Sequence, residues 1–182
     1  SFDVEVEKVF VPAYRTLASA DMCGGPTPGA IINPNPLYQL PVAALFPHLV
    51  AAPVIGMARG IVDKACESMR SRTSTYNRSQ VSSHSVPQLR VSNALAAQDM
   101  GMALVVANCR EAEGVSINGN HWDVIDKHRW RRDAAYASHH AVQVTDQVHQ
   151  AQGGATVYKG NPIERMFRDM HAGLGHIGIS ND

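Results

Sequence analysis

Residues 130–151 read WRRDAAYASHHAVQVTDQVHQA, and their spacing decides the fold. Trp130, Ala134, Ala137, Ala141, Val144, Val148 and Ala151 follow one another in alternating steps of four and three. That is the seam of a helix packed against other helices. The seam is mostly Ala and Val, which lets neighbouring helices approach closely, and the pair Gly153–Gly154 stops the helix. Downstream, Asn161-Pro162-Ile163-Glu164 places Asn at an N-cap, Pro at the first helical position and Glu at the third, the start signal of a last helix.

Upstream the helical reading continues. Val50, Val54, Met57, Ile61, Ala65 and Met69 recur at helical spacing, and Pro47 and Pro53 predict a kink. A Ser/Thr-rich loop over 71–85 leads to a second helix from about Pro87 to about Gly114, with Leu95, Met102, Val105 and Cys109 on one side. Residues 2–11 alternate Val and Phe with Asp, Glu and Lys, the pattern of a half-buried β-strand that Pro12 ends. Nothing downstream offers that strand a partner. The expected architecture is all-α: an antiparallel four-helix bundle over residues 37–182, preceded over 1–36 by one orphan strand and a Gly/Pro-rich linker.

Composition agrees and excludes several classes. Apolar residues make up 45% of the 182 and aromatics only 6%, so the core is aliphatic and Ala-rich. Sixteen Lys and Arg balance sixteen Asp and Glu, against the basic excess of a nucleic-acid binder. Three cysteines without a CxxC give neither a disulfide framework nor a zinc site, and suit a reducing cytoplasm. The opening residues have no basic n-region and no apolar h-region, so no signal peptide is expected there. Residues 40–58 are apolar enough to raise a membrane span, but three prolines and His48 interrupt them, and a buried helix is the expectation.

Of the motifs that carry chemistry, Gly173-Leu-Gly175-His-Ile-Gly178 matches G-x-G-x-x-G but follows a helix, not a strand, so it is no dinucleotide fingerprint. His139 and His140 are adjacent on a helix and diverge, His171 and His176 are five apart, and no metal site is expected. The two glycines after Gln150 expose backbone N–H groups to whatever faces them, although a plain helix cap fits the same residues.

Together, three segments resemble the C-terminal domain of the acyl-CoA dehydrogenase superfamily. Gln150-Ala-Gln-Gly153-Gly154-Ala-Thr-Val-Tyr158 is similar to its QxxGGxGY segment, Pro162-Ile-Glu164-Arg165-Met-Phe-Arg168-Asp169 to its P-x-E-R-x-x-R-D helix, and Val54-Ile-Gly56-Met-Ala58-Arg59-Gly60 to the first helix of its bundle. Residues 1–12 resemble the last strand of the family's β-domain. Where the dehydrogenases carry a catalytic Glu seven residues beyond the Asp of the R-D pair, this chain has His176. That resembles the flavin-dependent monooxygenase branch, which hydroxylates phenols and related substrates with O2 and takes reduced flavin from a separate reductase. A His there suits activation of a phenol near neutral pH, because imidazole titrates in that range.

The resemblance implies catalysis by His176 and flavin contact by Gln150, Gly153 and Gly154, from a neighbouring subunit. It places Arg72 at the cofactor phosphate, a solvent-facing Arg being the alternative; Arg165, Arg168 and Asp169 are expected to form a structural ion-pair cluster rather than a catalytic one. It implies a homotetramer, an aromatic small-molecule substrate, and FMN or FAD without choosing between them. It also implies that the chain is the C-terminal half of an enzyme and inactive alone. Two alternatives stand beside it: an acyl-CoA dehydrogenase proper, and a non-catalytic helical assembly module.

Overall fold

A computed structural model describes residues 3–25, 27–119 and 122–180. It is all-helical. A short α1 (Pro28–Ile32) precedes three long helices, α2 (Val42–Ser71), α3 (Ser85–Ile117) and α4 (Val124–Gln150), and the shorter α5 (Pro162–Leu174). The three long helices pack on one another, and α5 lies against α2 and α4.

The seam of α4 is buried as its spacing requires, with Trp130, Ala134, Ala137, Ala141 and Val148 at 3% exposure or less. Facing it, α2 buries Ala51, Val54, Ile55, Ala58, Ile61, Val62, Ala65 and Met69. The helix long and apolar enough to cross a membrane is thus the central helix of the core. It is continuous through Pro47 and Pro53.

The second helix differs from its expected face. Val105 is buried, but Met102 and Cys109 are exposed, and the buried stripe of α3 is Ala94, Ala97, Gln98, Gly101, Val105, Asn108, Ala112 and Ser116. Small residues set this face because the backbones lie close. A Cβ at Gly101 would stand 3.4 Å from both the Cβ and the carbonyl oxygen of Ala137. Two of the polar members bond across the interface to α4. Gln98 Nε2 donates to Thr145 Oγ1 at 3.0 Å, and Asn108 Nδ2 donates to Asp133 Oδ2 at 3.2 Å. Asp133 also accepts from Arg132 at 2.6 Å.

The expected strand is not found among the described residues, and 3–11 form an exposed segment without regular structure. Its alternating pattern fits a half-buried strand, but a lone strand with no ladder partner leaves its backbone to water. Residue 2, the first of that expected strand, lies outside the described residues.

Caps fix the ends that matter to the site. Asp123 accepts from Asp126 N at 2.7 Å to start α4, and Asn161 accepts from Ile163 N at 2.9 Å to start α5. At its far end, α5 meets α2 through Gly173, where an added Cβ would stand 2.6 Å from Val54 Cγ2.

Candidate functional site

After Gln150 the chain turns on Ala151 and Gln152, whose N–H donates to His149 O at 3.0 Å. Gly153 follows at φ 74, a left-handed conformation that glycine adopts without a Cβ penalty. Nothing lies within 4 Å of the place a Cβ would occupy at Gly153 or Gly154, so this turn faces open space. Gln150 is exposed beside it.

Arg72, at the C-cap of α2, reaches across to the turn. Its Nη1 donates to Gln152 O at 2.7 Å and its Nη2 to Ala151 O at 3.0 Å. The guanidinium thereby satisfies two carbonyls that the end of α4 leaves open, where positive charge is also favoured. The structure brings Arg72, Gln150, Gly153 and Gly154 together, with Arg72 as the brace of the turn. Sequence reasoning missed Gln152, which is 4% exposed with no hydrogen-bond partner for its Oε1 or Nε2. Its place immediately before the two glycines was the available signal.

Two cavities flank Arg72. One, of about 390 Å³, is lined by Arg72 and Gln152 with Ser68, Thr156 and the start of α5. The other, also about 390 Å³, has Arg72, Ser74, His84 and Arg90 in its wall. Backbone open to ligand beside a cationic, hydroxyl-bearing cavity fits a flavin nucleotide, whose phosphate needs cations and N–H donors.

His176 lies in the turn that follows α5. Its N–H donates to Gly173 O at 3.1 Å, and its Nδ1 accepts from Gly178 N at 3.0 Å. The amide is a donor only, which assigns the neutral ring its proton on Nε2. Phe46 of α2 lies 5.6 Å away, centroid to centroid, at a 44° tilt. The turn is pinned to α4: Arg131 Nη2 donates to Ile177 O at 3.2 Å, His139 Nε2 lies 3.0 Å from Ile179 O, and Ile179 is fully buried. The imidazole itself is exposed. Holding a side chain at a fixed place in solvent is a use of structure that core packing does not require.

His171 is placed differently. Its Nδ1 donates to Phe167 O at 2.9 Å, its Nε2 is 3.4 Å from Asp146 Oδ1, and its ring lies on Phe167. It ties α5 to α4. Arg165 and Arg168 form i,i+4 pairs with Asp169 (3.5 Å) and Glu164 (2.6 Å). In the core, His48 Nε2 faces Asn108 Nδ2 at 3.3 Å. Burial holds its pKa below the ordinary imidazole value, against the Leu45 carbonyl and the Asp133 charge. Among the described residues, no three His, Cys, Asp or Glu side chains gather around a point that could hold a metal.

The structure does not bring His176 to the glycine turn. One precedes α5 and the other follows it, and thirteen helical residues separate them by about 20 Å.

The family described as acyl-CoA dehydrogenase, C-terminal domain, matches residues 48–181. A pigment production hydroxylase of a Rhodococcus species is 31% identical over the whole chain, which covers 46% of that protein. The oxygenase subunit HsaA of a flavin-dependent monooxygenase from Rhodococcus jostii is 28% identical over 95% of the chain, which covers 46% of it. The crystal structure of 3-HSA hydroxylase from Rhodococcus sp. RHA1 superposes with a TM-score of 0.85 at 27% identity, over 96% of this chain and 44% of that one. The chain thus spans a little under half the length of the relatives it matches.

Proposed function

Because this chain belongs to the acyl-CoA dehydrogenase C-terminal domain family, we propose that it is the C-terminal helical domain of a flavin-dependent monooxygenase that hydroxylates an aromatic substrate. The observation that carries the reading is His176, an exposed residue in a turn pinned by its neighbours, where the family's dehydrogenases commonly carry a carboxylate. The relatives, a hydroxylase and the oxygenase subunit of a flavin-dependent monooxygenase, support it. Reduced flavin supplies the activation of O2 when bound, as FMN or FAD.

The residues of this chain divide the work. Gln150, Gly153 and Gly154 offer backbone and amide groups to the flavin, and Arg72 holds that turn in place beside the cofactor phosphate. His176 meets the substrate. With Nδ1 taken by the Gly178 amide, its neutral ring presents Nε2–H, so it first donates a hydrogen bond to the phenolic oxygen and favours its anionic form. Acceptance of a proton at Nδ1 requires that the Gly178 bond open.

The separation of the two groups along α5 supports sharing between subunits: the glycine turn of one copy serves the flavin whose substrate faces His176 of another. We accordingly read α2–α5 as an antiparallel four-helix bundle that assembles as a homotetramer. Residues 1–36 are then a β-domain remnant and linker. We infer a separate reductase from the word "subunit" in the relative's name, and a cytoplasmic setting. In the full-length protein carrying these residues, reduced flavin and O2 should convert a phenol to its hydroxylated product. Reduction of the bound flavin by an acyl-CoA, with no hydroxylation, would instead establish the dehydrogenase alternative.

A further inference from the structure

We propose that Arg131 is a positioning residue for His176, acting through the peptide group that joins Ile177 to Gly178. The two ends of that peptide have different partners. Its carbonyl oxygen, Ile177 O, accepts from Arg131 Nη2 at 3.2 Å, and its N–H, on Gly178, donates to His176 Nδ1 at 3.0 Å. A chain of two hydrogen bonds therefore runs from a guanidinium on α4, through one planar amide, to the imidazole ring. Among the described residues Arg131 forms no ion pair, so no carboxylate there competes with that carbonyl for it.

A trans peptide is planar, with its C=O and N–H pointing in opposite directions. A cation on the oxygen draws electron density towards it, and the N–H at the other end becomes the stronger donor. The same contact holds the plane of the amide against rotation. The ring sits directly on this piece of backbone. A Cβ at Gly178 would stand 3.1 Å from His176 Nδ1 and 3.5 Å from its Cε1, while Phe46 of α2 flanks the ring at 5.6 Å between centroids. Because the amide can only donate, its bond keeps Nδ1 unprotonated in the neutral ring and leaves the proton on Nε2. Arg131 thus bears on the tautomer and direction of the imidazole without a hydrogen bond to it.

His139 provides the contrast. Its Nε2 lies 3.0 Å from Ile179 O, so it anchors the same turn from the same helix. The N–H of that peptide belongs to Ser180, however, and donates to the backbone oxygen of His176 at 3.0 Å, not to the ring. Loss of His139 loosens the turn; loss of Arg131 loosens the turn and the ring bond together. The consequence for hydroxylation rests on the function proposed above. The coupling of Arg131 to the ring does not depend on it.

The test begins with NMR of the uniformly nitrogen-15-labelled 182-residue chain at about pH 8, where an ordinary imidazole is neutral. Ring nitrogen shifts report the His176 tautomer, and amide exchange reports the Gly178 N–H. Wild type should carry the ring proton on Nε2 and show a protected Gly178 amide. Arg131→Ala should move the ring towards a mixture of tautomers and lower Gly178 protection about tenfold. Arg131→Lys, which keeps a cationic donor, should restore much of both, and His139→Ala should leave the tautomer unchanged. Circular dichroism confirms that each variant is folded. A wild-type ring protonated on Nδ1, an unchanged ring and amide in Arg131→Ala, or an equal change of tautomer in His139→Ala overturns the proposal. In the full-length protein, Arg131→Ala should lower kcat for hydroxylation about tenfold with flavin binding unchanged, and should have little further effect in a His176→Asn background. Equal fold losses in both backgrounds would show that Arg131 does not act through His176, and would also overturn the proposal. A changed tautomer with wild-type turnover leaves the coupling standing and refutes the function given to His176.

Discussion

Replacing Gly173 with Ala adds one methyl group where α5 crosses α2. The new Cβ would stand 2.6 Å from Val54 Cγ2, and Val54 is 1% exposed, so the side chain it meets has nowhere to retreat. Overpacking of this kind costs about 1–3 kcal/mol. Ala is favoured over Gly in a helix by about 1 kcal/mol, so the net loss is about 2 kcal/mol at most. For a chain of this size that lowers Tm by about 4–8 °C. The diagnostic variant is the pair Gly173→Ala with Val54→Ala, because truncating Val54 removes the atom that clashes. Urea unfolding of wild type, both single variants and the double variant gives the coupling energy. The double variant should be more stable than the sum of the singles by about 1 kcal/mol or more. Strict additivity, or a Gly173→Ala protein stabilised by the full helix-propensity gain, would show that α5 does not lie on α2 as described. The turn holding His176 would then lose its support.

Asn108→Ala should destabilise by about 2–3 kcal/mol in the same assay, because Asn108 donates to the buried Asp133 carboxylate and faces His48. Stability should also fall on acidification. Burial lowers the pKa of both His48 and His149, so below the ordinary imidazole value of about 6.5 the unfolded chain takes up protons that the folded chain does not. The contribution is complete above that value and lost as pH falls beneath it. Unfolding followed between pH 8 and pH 5 should show this loss, and His48→Gln should reduce it. Light scattering at micromolar concentration should find an oligomer, with a tetramer expected. The exposed Phe10, Leu49, Val106 and Tyr136 are apolar surface that assembly would cover, and a monomer would contradict the shared-site reading.

The parts of the fold that were legible in the sequence are those where one periodicity dominates. The 4-3 seam of α4 and the Asn161-Pro162 start of α5 specify their structures locally. The face of α3 was not legible, because its apolar and polar residues are spread around the helix. Its buried side is chosen by size and by partners on α4 (Ala137 against Gly101, Asp133 against Asn108), which a single sequence does not display. The segment over 3–11 misled for the opposite reason: alternation describes what a strand buries but not what it pairs with. Within the site, the glycine turn and its Arg72 brace could be anticipated as neighbours only through resemblance, since 80 residues separate Arg72 from Gln152. Gln152 stands immediately before the two glycines, but only its surroundings show it to be a buried amide whose side chain finds no partner among the described residues.

We propose above that the exposed imidazole of His176 serves the hydroxylation. It is tested most directly by the hydroxylated product formed per reduced flavin oxidised, in the full-length protein and in its His176→Asn and His171→Ala variants. His176→Asn should lose about 10²–10⁴ in hydroxylation rate, with flavin binding nearly unchanged because Gln150, Gly153 and Gly154 are untouched. The His171→Ala protein should be less stable but still hydroxylate, since His171 packs on Phe167 within α5 and faces Asp146 of α4. Wild-type product yield and rate in His176→Asn, with loss of both in a folded His171→Ala protein, would contradict it.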